Sequence, residues 1–252
     1  MRVGLIGAGN MARAMARGWG DPVLCSDGGS GRAQALADEL GGRATTNVEV
    51  AEQSDVVFLC HKPYQLQDVA DEIRSRVTAV ASVLGGGLGL AEVQHAYPGV
   101  PVVLVMPNTP VEVGCGVVLF ATGDGVSAEL ETQLVGLLAR LGSVVPAGER
   151  EMGVAASITS VGPAYQALLV EAQVDAAVRH GLAPALASRL VLETMTGTAA
   201  LLAAREGDTL AVRREVTSPA GSTARGLDAL ERAGLRIAFS DAMDRVNGAP
   251  AR

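Results

Sequence analysis

The sequence predicts an α/β domain on a parallel, doubly wound sheet, followed by an all-α domain. Three observations carry this prediction. Short apolar runs alternate with helical patterns through residue 148, strand signals vanish after Gly148, and only 3% of the 252 residues are aromatic. With so few rings, the core must rest on Ala, Val and Leu. That suits helices packed closely on a sheet buried on both faces.

The elements follow in order. Arg2–Ile6 reads as a short buried strand, and after a glycine turn Met11–Trp19 reads as a helix. Val23–Ser26 is a second strand, ending at Asp27 and a Gly/Ser loop. Arg32–Leu40 is helical, and Gly41-Gly42 stops it. Val56–Cys60, Ala79–Leu84 and Val102–Val105 are further strands with helical patterns between them. Leu119 and Phe120 begin another strand, Ala128–Leu141 is helical, and Ser143–Val145 closes the sheet. Beyond Gly148 come four Ala/Leu-rich helical segments: Pro163–His180, Pro184–Arg205, Leu210–Val216 and Thr223–Ala233. Gly181 suits a helix end and Pro184 a helix start. The expected domains are therefore 1–148 and 149–252. Helices this apolar predict a face covered by a second subunit.

Composition narrows the function classes. Hydrophobic residues make up 48% and charged residues 19%, which is globular composition. A net charge of −7 gives no reason to bind nucleic acid or an anionic membrane. Cys25, Cys60 and Cys115 lie far apart, and the three histidines lack ligand spacing, so neither a disulfide framework nor a metal site is expected. The apolar start breaks at Asn10 and Arg13, and Val77–Ala91 is too short to span a bilayer and holds four glycines. A cytoplasmic, reducing compartment is the expectation.

Gly7-Ala8-Gly9-Asn10-Met11-Ala12 follows the first strand, opens the first helix and fits GxGxxA. The first glycine permits the tight turn, the second admits a pyrophosphate to the backbone, and small Ala12 lets helix and strand pack closely. The free N–H groups at the helix start face the phosphates. Asp27 stands about 20 residues on, where an acid accepts from a ribose 2′-hydroxyl and repels a 2′-phosphate. Ser30 and Arg32 could instead hold that phosphate, and Asp27 beside Gly28 also suits a plain turn; the residues leave these readings open. Lys62, before Pro63 and after an apolar strand, sits at the carboxyl end of the sheet, where cofactors bind.

Several motifs in one order resemble the pyrroline-5-carboxylate reductase family: GAGNMA at 7–12, Asn47 before SDVVFL, Lys62-Pro63, MPNTP at 106–110, GPAY at 162–165 and TSPAGST at 217–223. The resemblance implies a Rossmann-like N-terminal domain, an all-α C-terminal dimerisation domain, and NAD(P)H-dependent reduction of a cyclic imine to proline. NADP is the implied cofactor, with NAD possible, and a homodimer or an assembly of dimers is the implied oligomer. By the same resemblance Asn47 and Lys62 touch the adenosine side of the cofactor, with Pro63 and Asn108 beside it, and Gly86 lines the nicotinamide pocket. Glu149 and Glu206 lie near the substrate, and Ser218, Gly221, Ser222 and Thr223 hold its carboxylate. Small residues there let backbone N–H groups converge before a helix, and Ser222 or Thr223 could equally cap that helix. Thr223 is the expected hydroxyl partner of the imine nitrogen. The chain departs from the family at Val161, Ala220, Glu215, Cys115, His61 and Tyr64. Two rival readings are a related imine reductase with an altered ring substrate and a nucleotide-binding regulator without catalysis.

Overall fold

The computed structural model describes residues 1–85 and 88–248, and of Glu149 only the backbone. The chain divides into two compact units, Met1–Pro163 and Ala164–Arg252.

The first unit is an eight-stranded sheet in the order β3-β2-β1-β4-β5-β6-β7-β8. Its strands are β1 (Val3–Ile6), β2 (Leu24–Ser26), β3 (Arg43–Ala44), β4 (Val56–Leu59), β5 (Val80–Ser82), β6 (Val102–Pro107), β7 (Gly116–Thr122) and β8 (Gly142–Pro146). Its helices are α1 (Asn10–Trp19), α2 (Arg32–Leu40), α3 (Asn47–Gln53), α4 (Leu66–Ile73), α5 (Leu90–Ala96), α6 (Ala128–Leu138) and α7 (Glu149–Thr159). The sheet is buried on both faces, which is why its strands read as continuous apolar runs. Along β4, Phe58 packs with Met15, Trp19 and Leu36 on one face. Val57 and Leu59 pack with Val50, Ile73 and Val93 on the other. The Trp19 ring meets Phe58 edge-on, centroids 5.3 Å apart, and its indole N–H donates to the Leu137 carbonyl at 3.1 Å.

The sheet is parallel, as expected, except that β7 runs antiparallel to β6. Only residues 108–115 join these strands, in a 3-10 turn over Thr109–Val113. A parallel return needs a crossover of about a dozen residues or more. β7 and β8 are again parallel, with α6 and a short 3-10 turn as the crossover. The two-residue strand β3 extends the other edge.

Residues 149–159, placed in the second domain from the sequence with no helix expected there, form α7, which packs on β7. Its Met152 is buried with the core of the second sheet face, so the compact unit runs on to Pro163. The second unit holds most of α8 (Gly162–Arg179), then α9 (Pro184–Ala204), α10 (Thr209–Glu215), α11 (Ser222–Arg232) and α12 (Leu235–Val246), the last not expected from the sequence. Tyr165 and Phe239 meet edge-on within it. Among its described residues only Ala187 and Val212 are buried hydrophobics, while Leu168, Leu190, Leu192 and Ile237 lie exposed. Among the described residues, Arg150–Arg179 is the one stretch long and apolar enough by length and composition to cross a membrane, and α7 and α8 are interrupted at residues 160–161 within it.

Candidate active site

Strand order reverses at β1, with β2 on one side and β4 on the other. In such sheets the crevice beyond the carboxyl ends at this switch point receives ligands. Here Ile6 is paired with Leu59, so the chain leaves β1 at Gly7 directly beside Cys60 and His61 leaving β4. Gly7 has φ +99°, and a Cβ on it would lie 2.5 Å from the Cys60 carbonyl carbon and the His61 nitrogen. Its N–H donates to the Ser26 carbonyl at 2.9 Å, which ties the turn to β2. Gly9 caps α1 with ordinary extended backbone and no side-chain acceptor, and a Cβ on it would meet no atom within 4 Å. Fold geometry thus demands a glycine at 7. At 9 the bare backbone instead faces open space.

That space is a hollow of 600 Å³. Its lining includes Gly7, Gly9, Asn10 and Met11 from the first turn, Asp27, Ser30 and Arg32 from the second, and Asn47 and Lys62. The structure therefore brings together most of the residues singled out for a cofactor. Ala12 is fully buried behind the turn and packs α1 on the sheet. Gly86 lies outside the described residues. Pro63 opens the 3-10 turn after Lys62 but is not among the lining residues. Asn108 is turned into the fold: its Nδ2 donates to the Thr159 carbonyl at 3.1 Å and its Oδ1 accepts from Val117 N–H at 2.8 Å. It fastens the β6–β7 turn to α7 and does not line the hollow.

The polar groups of the hollow are arranged by neighbours. Asn47 accepts from Ser26 Oγ at 2.6 Å and donates to Glu72 at 2.7 Å, which fixes its amide. Gln65 Oε1 accepts from the Lys62 N–H at 3.0 Å, holding the turn that presents Lys62. Among the described residues neither Lys62 nor Arg32 pairs with a carboxylate. Two uncommitted cations and a bare helix start suit an anionic, phosphate-bearing ligand. His61, not singled out as a ligand from the sequence, also lines the hollow; burial holds its pKa below the usual value although its contact with the Lys62 carbonyl opposes this, so it adds no charge at neutral pH. A second hollow, of 540 Å³, lies by the amino ends of β1 and β2. Its glycine turn, Gly41-Gly42, closes the end of α2, so no helix start faces this hollow.

In the second unit, the loop before α11 carries the remaining candidates. Gly221 is the N-cap of α11, with no side-chain acceptor, so Ser222 and Thr223 are its first two helical residues. The alternative in which one of them caps the helix is thereby set aside. Their N–H groups are among those a helix leaves without internal acceptors, and among the described residues the Thr223 hydroxyl has no partner. Gly221 N–H donates to the Ser218 carbonyl at 3.0 Å, and a Cβ on Gly221 would collide with Ser218 Oγ. Ala220 sits at φ +53°, a conformation that favours glycine, and Arg225 donates to its carbonyl at 2.7 Å. Glu215 pairs with Arg205 at 3.1 Å, which neutralises the acid next to this loop. Glu206 is exposed in the turn after α9 at φ +53°, and Glu149 begins α7.

Comparison with known proteins bears on both units. The family described as "Pyrroline-5-carboxylate reductase dimerisation" matches residues 149–249, and "NADP oxidoreductase coenzyme F420-dependent" matches residues 2–85. A pyrroline-5-carboxylate reductase of Corynebacterium melassecola is 34% identical over 82% of this chain and 80% of its own. That of Mycobacterium leprae is 30% identical over 96% of this chain and 93% of its own. The Plasmodium falciparum enzyme, solved with NADP bound, superposes with a TM-score of 0.85 at 25% identity, covering 98% of this chain and 95% of its own. With motif order, sheet topology and near full-length similarity in agreement, the chain belongs to the pyrroline-5-carboxylate reductase family.

Proposed function

We infer that this protein reduces the cyclic imine 1-pyrroline-5-carboxylate to proline, using NADPH and, as a second donor, NADH. The observation that carries the reading is the pairing, on one chain, of a glycine-turn crevice lined by free cations with a helix start that has no side-chain cap and lies at the end of the TSPAGST stretch. The reductases it resembles, and the NADP-bound relative, support it.

The crevice fits a dinucleotide by its own geometry, since the open side of Gly9 is the place where backbone can meet a pyrophosphate. Gly7, Gly9, Asn10 and Met11 would hold that group, with Asn47 and Lys62 toward the adenosine. Bound NADPH supplies the hydride that goes to the imine carbon. The protein's task is position and charge complementarity. Ser218, Ser222 and Thr223 present backbone and hydroxyl donors to the substrate carboxylate, and Gly221, whose N–H stays on the Ser218 carbonyl, leaves the backbone bare beside it; this arrangement suits an anion without a lysine or arginine. The Thr223 hydroxyl hydrogen-bonds the ring nitrogen and passes it a proton from water. Glu149 and Glu206 would lie at the edge of the substrate. We read residues 1–148 as the cofactor-binding part and 149–252 as the substrate and dimerisation part. The exposed apolar side chains of the second unit are covered by a second copy in a homodimer or an assembly of dimers, in the cytoplasm.

A steady-state assay with pyrroline-5-carboxylate tests the reading, both reduced cofactors being tried. Light scattering on the same sample reads the oligomer. Proline formation by a dimer or larger species is the expected result. Turnover of six-membered cyclic imines alone would point to a related imine reductase, and binding of NADPH without turnover of any imine would end the enzymatic reading. A monomer that is fully active would refute the dimer.

A further inference from the structure

Asp27 stands where an acid at the end of the second strand ordinarily accepts from a ribose 2′-hydroxyl and excludes a 2′-phosphate. Its contacts point elsewhere. We propose that Asp27 is a positioning residue that folds the 27–33 loop into a receptor for the 2′-phosphate, and so favours NADPH over NADH. The proposal rests on the reading of the 600 Å³ hollow as the cofactor site.

The carboxylate is occupied within its own loop. Oδ1 accepts from Gly29 N–H at 2.9 Å. Oδ2 accepts from Ser30 Oγ at 2.8 Å and from Ala33 N–H at 2.9 Å. Oδ2 thus serves the start of α2, whose N-cap Gly31 has no side chain to do so, and Oδ1 holds the turn that leads into it. Desolvation works against the ionised form, yet the bonds from Ala33, Ser30 and Gly29 outweigh it and hold the carboxyl below the usual carboxylate range. The charge is therefore present at neutral pH and faces the positive end of a helix, which offsets its field at the hollow.

The rest of the loop is free to meet an anion. Cβ atoms at Gly28, Gly29 and Gly31 would touch nothing within 4 Å, so the backbone is open to approach. Among the described residues the N–H groups of Gly28, Ser30 and Gly31 have no acceptor. The Arg32 guanidinium, unpaired among the described residues, begins α2 and lines the same hollow as Ser30 and Gly28. Ser30 spends its hydroxyl proton on Asp27 and is left with its N–H. A dianionic phosphate matches one guanidinium and several N–H donors; a neutral hydroxyl needs an acceptor, and Asp27 has largely committed its own.

The test is equilibrium binding of NADPH, NADH, 2′,5′-ADP and 5′-AMP to the full chain by calorimetry, for the wild type, Asp27→Asn, Ser30→Ala and Arg32→Ala. Asparagine keeps the size of Asp27 but loses one acceptor oxygen. Asp27→Asn and Arg32→Ala should each weaken NADPH and 2′,5′-ADP by about tenfold or more, with less than about threefold change for NADH and 5′-AMP. Ser30→Ala removes one donor from Asp27 without touching the backbone, and should show the same pattern in milder form. It keeps the test open should Asp27→Asn fail to fold. A gain in NADPH affinity with a loss of NADH affinity in Asp27→Asn would restore the ribose-acceptor role and overturn the proposal; so would equal losses for both cofactors. A wild type that binds neither dinucleotide would instead strike at the reading of the hollow itself.

Discussion

Gly7 and Gly9 belong to one motif, yet the structure gives them separable tasks, and alanine at each position should show it. At Gly7 the added Cβ would lie 2.5 Å from backbone atoms of Cys60 and His61, neither of which can move without shifting β4. The backbone there is also at φ +99°. Left-handed backbone costs an L-residue about 1–2 kcal/mol, and overpacking against backbone typically costs about 1–3 kcal/mol more. Gly7→Ala should therefore lose about 2–5 kcal/mol of stability, or roughly 5–20 °C in Tm for a unit of this size. Gly9 has φ −74° and open space at the Cβ position. Gly9→Ala should cost at most about 1 kcal/mol, the difference between glycine and alanine as an N-cap. The same methyl would stand where the pyrophosphate meets the backbone. Overpacking of about 1–3 kcal/mol there corresponds to about 5–150-fold weaker NADPH binding. Thermal melts and NADPH titrations of both variants are the assay. A stable Gly9→Ala protein with wild-type NADPH affinity would refute the reasoning, because no phosphate could then approach at that point. A Gly7→Ala protein with an unchanged melt would refute the steric half.

Other outcomes follow from the loop before α11 and from Asp27. Thr223→Val should lower kcat by about 10²-fold while leaving the fold intact, since Thr223 is not the N-cap of α11; a near-normal kcat in steady-state kinetics would remove its hydroxyl from the mechanism. Ala220→Gly should raise stability by up to about 1 kcal/mol, because φ +53° costs alanine what it does not cost glycine; a lower Tm would show that the side chain packs usefully. Asp27 has a depressed pKa, so its contribution to stability is complete above the ordinary aspartate value and lost as pH falls through the folded one. The stability gap between wild type and Asp27→Asn should be flat above about pH 5 and close below about pH 4, as read from denaturation at fixed pH; a gap that widens in acid would reverse the assignment.

How much could be read from the chain depended on whether local pattern or long-range pairing set the outcome. Strands β1, β4 and β5 and helices α1 and α2 were legible because periodicity and glycine stops are local signals. The direction of β7 was not, since direction depends on how few residues join it to β6, and the strand was recognised only at Leu119 and Phe120. The two-residue β3 carries too little pattern to see, and α12 follows Gly234 so closely that it merges with the helix before it. In the candidate site, the glycine turn, Lys62 and Asn47 were placed by motif, and the hollow unites them. Asn108 lies in an equally specific motif but serves a turn, and only its partners Thr159 and Val117 reveal that. Asp27 was ambiguous for the same reason: a carboxylate's role lies in its donors, and those donors are backbone N–H groups with no identity in a sequence.

The single tryptophan gives the protein a built-in optical probe of one half of itself. Trp19 is buried against Phe58, with its indole N–H bound to the Leu137 carbonyl, and the second unit holds no tryptophan. Its emission therefore reports the integrity of the sheet domain alone, while far-ultraviolet circular dichroism reads the helices of both units together. Loss of the two signals at one denaturant concentration would mean that the units unfold as a single cooperative block. Loss at different concentrations would show that each half holds its structure independently, and the order of loss would say which one gives way first.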